Sequence, residues 1–384
     1  MSYSADTGIN IAVIGATGMV GMTALKILHE RKFPINNIYG VASNNSSGTK
    51  VSFGNNEVTV VDLESFDFSK VEIALFCVRA EIAKIFVPKA VKNGCIVVDN
   101  SSYFRMDNDV PLVVPEVNLY DIKNVKKNIV ANPNCVAIPL AVTLAPLHKV
   151  FKIKRVVVAT YQSVSGAGKI ATDELLNQTQ NIIEKKGVVD QALVRHCERS
   201  EAIHNGAPYN DGDKNGIVKK FSKQIAFNLI PQIDVLEDDG FTKEETKIKN
   251  EIKKIIDPNI EVVATCVRVP VFVSHSMAIN IEFEQPISAK EVTTVLKNAS
   301  GIIVSDVHSV ENLSPIEVAD KDYVYVSRIR KDPSKENTLC AWIVADNIRK
   351  GAALNAIQIA EYLHSLHMNV SNNSTHECRL VLLD

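Results

Sequence analysis

The chain has 384 residues, of which 46% are hydrophobic and 22% charged, and its formal net charge is −2. This length exceeds what one hydrophobic core usually supports, so two domains are expected. The balanced charge argues against a nucleic-acid partner, no apolar run is long enough to span a membrane, and the N-terminus lacks a secretory pattern, so we expect a cytoplasmic protein. The seven cysteines are scattered without a CxxC pair, which argues against a disulfide framework and predicts no metal site.

The N-terminal part of the sequence alternates short apolar strands with amphipathic helices. Strands are predicted near 10–15, 39–43, 72–78 and 95–99, and helices near 19–31 and 82–92. Strand–helix–strand repeats at this spacing predict an α/β fold of Rossmann type, with a doubly wound parallel sheet.

A glycine-rich turn, GATGMVG, joins the first predicted strand to the first helix. Glycines let the backbone approach a pyrophosphate, and the free N–H groups of a helix N-terminus bind it. The alternative is a tight turn without a ligand, but the strand–turn–helix context favours a dinucleotide. The residues expected to bind it are Gly15, Thr17, Gly18, Met19, Val20 and Gly21.

The end of the second predicted strand normally distinguishes NAD from NADP. Here the sequence ASNNSSG contains no Asp or Glu to bind a ribose diol. The hydroxyls of Ser43, Ser46 and Ser47, with Lys50 nearby, could hold a 2′-phosphate, although they could equally be turn residues. The sequence therefore favours NADP and leaves NAD open.

The pattern changes after about residue 150. Longer strands rich in β-branched residues are predicted near 156–161, 262–269, 277–283, 323–330 and 338–345, with polar helices near 172–186 and 243–256. This pattern predicts an α+β catalytic and dimerisation domain with a mostly antiparallel sheet, over 132–350. We expect 1–131 to form the dinucleotide domain, completed by a helix within 351–367, with a surface insertion at 187–216 and a loose tail at 368–384.

Cys135 is the best candidate nucleophile among the cysteines. It follows Asn132-Pro133-Asn134 and precedes an apolar helical stretch over 136–147. A helix N-terminus favours the thiolate, so the spacing predicts a lowered pKa. The alternative is a small buried cysteine, which is the commonest role of a free thiol.

Five motifs in order resemble those of the aspartate-semialdehyde dehydrogenase family: GATGMVG, NPNCVAIP, YQSVSGAG, RVPVFVSHS and DNIRKGAALNAIQ. The resemblance runs from about Ile11 to His367, apart from the insertion. It implies a homodimeric enzyme that reduces L-4-aspartyl phosphate to L-aspartate 4-semialdehyde, with release of phosphate. The reaction would use a cysteine thioester and hydride from NADPH, in the biosynthesis of lysine and diaminopimelate, threonine and methionine.

The resemblance also implies roles for individual residues. Cys135 resembles the nucleophile, His275 the general acid/base, and Gln162 the residue that orients the acyl group. Arg268 resembles the arginine that holds the substrate α-carboxylate, and Arg105 an arginine at the phosphate position. In a regular strand, residues seven apart face opposite ways, so the chain must turn or bulge between Arg268 and His275 if both act on one substrate.

Further positions are implied around the substrate and the nicotinamide. Glu244 and Lys247 resemble a pair on one helix face that contacts the substrate amino group and phosphate, and Asn134 lies beside the nucleophile. Without the family, such a pair is an ordinary solvated helix face. The residues implied around the nicotinamide are Ser165, Gly166, Gly168 and Asn347.

The sequence departs from the family pattern in three places. Cys77-Val78-Arg79-Ala80 stands where the family has small residues beside the cofactor, and Asn45 stands where an arginine often selects NADP. The insertion at 187–216 matches no family segment.

Three other functions fit parts of the sequence. N-acetyl-γ-glutamyl-phosphate reductase shares the fold and thioester chemistry, but its acetylated substrate needs no carboxylate such as Glu244. Glyceraldehyde-3-phosphate dehydrogenase is a more distant alternative, which NPNC and YQSVSG disfavour. A non-catalytic nucleotide-binding protein would leave the cysteine motif without a role.

Overall fold

The computed structural model describes residues 8–184, 220–305 and 313–372. The predicted insertion at 187–216 lies outside these ranges, as do residues 373–384 of the predicted tail. Within the described ranges, no helix combines the length and apolar composition needed to cross a membrane.

A parallel sheet forms the N-terminal part of the molecule. Its strands are β1 (Ile9–Ile14), β2 (Ile35–Ala42), β5 (Val61–Asp62), β6 (Ile73–Phe76), β7 (Ile96–Asp99) and β8 (Ile129–Ala131), and β3 (Lys50–Phe53) and β4 (Asn56–Thr59) form a separate hairpin. The order is β5-β2-β1-β6-β7-β8, and every neighbouring pair is parallel. This confirms the predicted Rossmann-type sheet.

Helices cover both faces of this sheet, because its strands are apolar on both sides. They are α1 (Met19–Glu30), α2 (Ala80–Lys92) and α3 (Pro115–Asn118). Ile11 and Val13 of β1 belong to the hydrophobic cluster of α1, whereas Ala12 and Ile14 belong to that of α2. Because successive side chains of a strand point to opposite faces of the sheet, neighbouring residues of β1 are buried in two different hydrophobic clusters.

The C-terminal helix, α9 (Leu354–Asn372), returns to the first sheet. Leu354, Ile357 and Leu363 are buried in the same cluster as Ile11. The helix is longer than the predicted segment, so the backbone of 368–372 is helical where a loose tail was expected. The sequence MNVSN there has no Gly or Pro to end the helix.

The second sheet belongs to the middle of the chain. Its strands are β9 (Ile153–Gln162), β10 (Glu261–Arg268), β11 (His275–Phe283), β12 (Ile302–Val304), β13 (Val324–Lys331) and β14 (Thr338–Ala345). The order is β10-β9-β11-β14-β13-β12. The central pairings are antiparallel, as predicted, and the edge strands β10 and β12 pair in parallel with β9 and β13.

The remaining helices accompany this second sheet. They are α4 (Ala137–Phe151), α5 (Lys169–Glu184), α6 (Lys243–Ile255), α7 (Ala289–Lys297) and α8 (Pro315–Val318). Helix α4 is almost entirely apolar and buried, and α6 begins with a capping box between Thr242 and Glu245. A π-helical turn, Arg349–Ala353, links β14 to α9.

Candidate active site

The glycine-rich turn between β1 and α1 has the geometry of a pyrophosphate site. Gly15 has φ +86°, and a Cβ there would lie 2.4 Å from the Cys77 carbonyl oxygen. A Cβ at Gly21 would lie 2.1 Å from the Gly15 carbonyl oxygen, so α1 packs directly on the turn. No side chain caps the first turn of α1, which leaves its N–H groups to bind an anion.

Hydroxyl groups lie at the end of β2. Ser43 precedes the 3₁₀ turn Asn44–Ser46, and the Thr17 hydroxyl donates to Ser46 Oγ at 3.5 Å. The glycine turn and the end of β2 therefore meet, as cofactor binding requires. Lys50, which we considered for a 2′-phosphate, instead pairs with Glu57 across the β3–β4 hairpin at 2.7 Å.

Cys135 lies just before α4, but its thiol is not activated by the helix as predicted. The Asn134 Oδ1 atom accepts the N–H groups of Val136 at 2.8 Å and Ala137 at 3.4 Å, so these donors are not directed at the sulfur. Burial raises the pKa of the Cys135 thiol to about 12, and the Glu244 carboxylate raises it further, against the opposing effect of two arginines. The expected low thiol pKa is therefore wrong for the protein without substrate.

His275 is the immediate neighbour of the thiol, with 3.3 Å between Nε2 and Cys135 Sγ. Its Nδ1 accepts the backbone N–H of Ser163 at 3.0 Å, so a neutral ring carries its proton on Nε2, facing the sulfur. Burial, with the nearby Arg268 charge, lowers the pKa of His275 to about 3. The resting pair is therefore a neutral thiol beside a neutral imidazole.

Asn347 holds the backbone behind His275. Its Oδ1 accepts the N–H of Ser274 at 2.8 Å and the hydroxyls of Ser163 at 3.1 Å and Ser165 at 3.2 Å. Ser274 has φ +75°, a strained value for a residue with a side chain. Asn347 therefore supports the strained residue that directs His275 towards the thiol.

Arg268 and His275 reach one site because the strand between them is broken. Arg268 ends β10, His275 begins β11, and both strands border β9, which ends at Gln162. The required turn between them is therefore present. The Arg268 Nη1 atom donates to the Ser163 carbonyl at 2.6 Å, the single hydrogen bond of this guanidinium within the described residues. Its other donors remain for a ligand.

Glu244, at the start of α6, connects the remaining predicted residues. Its Oε1 accepts from Asn134 Nδ2 at 2.9 Å and Gln162 Nε2 at 3.1 Å, and the Lys247 ammonium lies 3.5 Å from Oε2. Burial opposes the charge on Lys247, but Glu244 and Asp234 outweigh it and raise the Lys247 pKa. The buried Gln162 Oε1 has no partner among the described residues. An acceptor is thus left for substrate.

Arg105 is held more tightly than Arg268. Nε donates to the Asn132 carbonyl at 2.9 Å, Nη2 to the Asn100 carbonyl at 2.7 Å, and Nη1 to Glu251 at 3.0 Å. A guanidinium has five N–H donors, so two have no partner among the described residues. Sequence reasoning missed both Glu251 and Ser163. A signal for Glu251 exists in the 3-4-3 spacing of charges at 244, 247, 251 and 254, which predicts one helix face.

The loop 163–168 passes close to the side chains of Arg268 and His275. A Cβ at Gly166 would lie 3.2 Å from Arg268 Nη1 and 3.2 Å from His275 Nε2. Gly168 has φ +90° and open space around it. A side chain at 166 would therefore be crowded by its neighbours, whereas at 168 only the positive φ favours glycine.

Known proteins resemble this chain over most of its length. Residues 10–125 match the model of the semialdehyde dehydrogenase NAD binding domain, and 144–350 match the semialdehyde dehydrogenase dimerisation domain. The aspartate-semialdehyde dehydrogenase of Rickettsia conorii is 50% identical over 92% of this chain and 97% of its own length. A crystal structure of aspartate semialdehyde dehydrogenase II from Vibrio cholerae is 43% identical, covers 93% of this chain and 98% of its own, and superposes with a TM-score of 0.81. A second structure of that protein, complexed with ASA, matches equally well. The chain belongs to the aspartate-semialdehyde dehydrogenase family.

Proposed function

We propose that this protein reduces L-4-aspartyl phosphate to L-aspartate 4-semialdehyde and releases phosphate. The observation that carries the proposal is the contact of Cys135 Sγ with His275 Nε2 at 3.3 Å, beside the buried side chains of Arg268, Gln162 and Glu244. The family membership supports the same reaction, which would serve the biosynthesis of lysine and diaminopimelate, threonine and methionine.

In this mechanism the Cys135 thiol passes its proton to the phosphate group of the substrate, and the resulting thiolate attacks the acyl carbon. The carbon–oxygen bond to phosphate then breaks, which leaves a thioester and the protonated phosphate. The Nε2–H group of His275 donates a hydrogen bond to the thiolate, and then to the carbonyl oxygen as negative charge develops there. When bound, the nicotinamide supplies the hydride. Once the carbonyl is reduced, its negatively charged oxygen keeps the hydrogen bond from Nε2–H while the carbon–sulfur bond breaks. Cys135 departs as a thiolate that takes up a proton from solvent, and the semialdehyde is released.

The charged groups around the thiol match the charges of the substrate. Arg268, with most of its donors unused, fits a bidentate contact with the α-carboxylate. The Glu244 carboxylate fits the free α-ammonium group, and Arg105 and Lys247 fit the phosphate. The structure of a relative complexed with ASA supports a small substrate of this kind. Glu244 favours this substrate over an N-acetylated one, because an amide needs no countercharge.

The cofactor in this proposal is NADP. The uncapped start of α1 and the close glycine turn fit the pyrophosphate, and Thr17, Ser43 and Ser46 supply hydroxyls where a 2′-phosphate would lie. Asn45 in place of arginine weakens that preference, so NAD remains a substrate to be measured.

We also propose a homodimer with the domain division 1–131 plus 351–367 and 132–350, located in the cytoplasm. The match to a dimerisation domain supports the dimer. Exposed apolar side chains on the second domain, including Tyr161 and Phe272, support it further. Light scattering on the purified protein would measure the subunit count, and a monomer at micromolar concentration would refute the dimer.

The deciding experiment is a reductase assay with L-4-aspartyl phosphate and N-acetyl-γ-glutamyl phosphate, each with NADPH and NADH. We expect turnover with aspartyl phosphate and NADPH, and none with the acetylated substrate. The Cys135→Ser variant serves as the control for thioester chemistry. Preference for the acetylated substrate would refute the proposal.

A further inference from the structure

One face of α6 carries four charged side chains that each contact a different part of the site. Glu244 holds Asn134 and Gln162, and Lys247 pairs with Asp234. Further along the helix, Glu251 contacts the nucleophile loop and Lys254 donates to three backbone carbonyls between 105 and 110. The face therefore reaches from the substrate end of the site to the loop that carries Arg105.

Of these four residues, Glu251 contacts both Arg105 and the loop that carries Cys135. Its Oε1 binds Arg105 Nη1 at 3.0 Å, and its Oε2 accepts the Asn134 N–H at 2.6 Å, one residue before Cys135. The residue is 1% exposed. A charged carboxylate is stable in the protein interior only where an opposite charge and hydrogen bonds compensate for its lost hydration. Glu251 has both.

We propose that Glu251 is a positioning residue that sets the distance between the phosphate-binding arginine and the nucleophile. It touches neither substrate nor cofactor, and it acts through Arg105 and the backbone of Asn134. In an acyl phosphate, a single oxygen atom joins the phosphorus to the attacked carbon. The distance between the phosphate-binding arginine and the Cys135 sulfur must therefore stay constant. The proposal rests on the proposed function, because it assigns Arg105 to phosphate.

The charge of Glu251 also affects the nucleophile. Burial is the main reason for the high Cys135 pKa, and the Glu251 carboxylate adds to it, whereas Arg105 opposes it. Neutralising Glu251 removes its own contribution but also releases Arg105, whose opposing effect is the larger of the two, so Cys135 should become less acidic. A residue that served the fold alone would not change thiol reactivity and phosphate use together.

The test compares Glu251→Gln with Glu245→Gln on the same helix. A glutamine at 251 keeps the size but has one acceptor, so it must face either Arg105 or the Asn134 N–H with its amide NH₂ group. Glu245 is also a buried carboxylate that accepts two backbone N–H groups, those of Thr242 and Cys266, and it lies outside the substrate site. The control therefore matches burial and hydrogen-bond loss.

We measure KM for phosphate in the oxidative direction, KM for the semialdehyde, and the pH profile of Cys135 alkylation by iodoacetamide with peptide mapping. Glu251→Gln should raise the phosphate KM about tenfold or more, the scale of a lost charged hydrogen bond, leave the semialdehyde KM within about twofold, and move the alkylation midpoint to higher pH. Glu245→Gln should lower Tm and leave all three unchanged. Glu251→Asp, which keeps the charge but is shorter, should also raise the phosphate KM, and it carries the test if Glu251→Gln does not fold.

Two results would overturn the proposal. One is an unchanged phosphate KM and alkylation profile in a folded Glu251→Gln variant, and the other is the same changes in Glu245→Gln. If the parent enzyme shows no turnover with phosphate, the proposed function fails instead. The alkylation profile, which needs no substrate, still reports whether Glu251 acts on Cys135.

Discussion

Replacing Gly166 with alanine tests how much space surrounds the side chains of Arg268 and His275. The added methyl group would lie 3.2 Å from both Arg268 Nη1 and His275 Nε2, closer than ordinary van der Waals contact. Gly166 does not have a positive φ, so the backbone accepts alanine, and the side chains must move by a few tenths of an ångström. Both of these side chains belong to the proposed chemistry.

Opposing contributions make the effect on stability small. Removing a glycine stabilises the folded state by about 0.4–1 kcal/mol through the unfolded chain, and crowding a packed site costs about 1–3 kcal/mol. The effect on catalysis is larger, since a misplacement of about 1 Å costs on the order of 10² in rate, so a third of that distance predicts a loss of about 3- to 10-fold in kcat.

The assay is steady-state oxidation of the semialdehyde with phosphate and NADP, together with Tm of each variant. The matched variant is Gly94→Ala, after α2, where φ is +90° and no atom lies within 4 Å of the added Cβ. It should lose about 1–2 kcal/mol of stability through backbone strain and keep kcat. A folded Gly166→Ala variant with the kcat of the parent enzyme would show that Arg268 and His275 can move without loss of activity. That result would refute the reasoning.

Four further expectations concern Cys135, His275 and Arg268. Cys135→Ser should lose almost all turnover but retain cofactor binding, because a hydroxyl is a far weaker nucleophile than a thiol, and near-parental activity would rule out the thioester. His275→Asn should chiefly lower kcat, by about 10²- to 10⁴-fold. Arg268→Lys should chiefly raise KM, because lysine cannot form the bidentate contact. A raised KM in His275→Asn with a lowered kcat in Arg268→Lys would contradict these roles. Because burial lowers the pKa of His275 from 6.5 to about 3, the unfolded chain binds a proton that the native state refuses, so stability should decline as pH falls from about 6.5 towards 3. Tm measured against pH should fall less steeply in His275→Gln, and an equal slope would contradict the buried neutral imidazole.

The parts of the structure that follow from local sequence were predictable. The strand–turn–helix unit around Gly15–Gly21 depends on neighbouring residues, and the sequence alone places it correctly. The seven-residue separation of Arg268 and His275 also predicted a break in the strand, because period-two geometry forbids a straight one. That break is present between β10 and β11.

The electrostatic state of the site was not predictable, because it depends on residues distant in sequence. The thiol of Cys135 lies beside Glu244, more than a hundred positions later, and Asn134 takes the helix N–H groups that were expected to favour the thiolate. Arg105 likewise owes its position to Glu251, 146 residues away. Helix periodicity indicates that Glu251 shares a face with Glu244, but not what that face contacts.

The return of α9 to the first sheet has a consequence for synthesis. Ile11, Val13 and Leu75 are translated early, yet part of the cover over their face is α9, which begins at Leu354. During elongation this apolar surface lacks part of its cover until α9 has been synthesised, and such long-range closure is slow and prone to aggregation. The N-terminal sheet therefore completes its core only once α9 is available, and a nascent chain that stalls before α9 would be a substrate for chaperones or proteases.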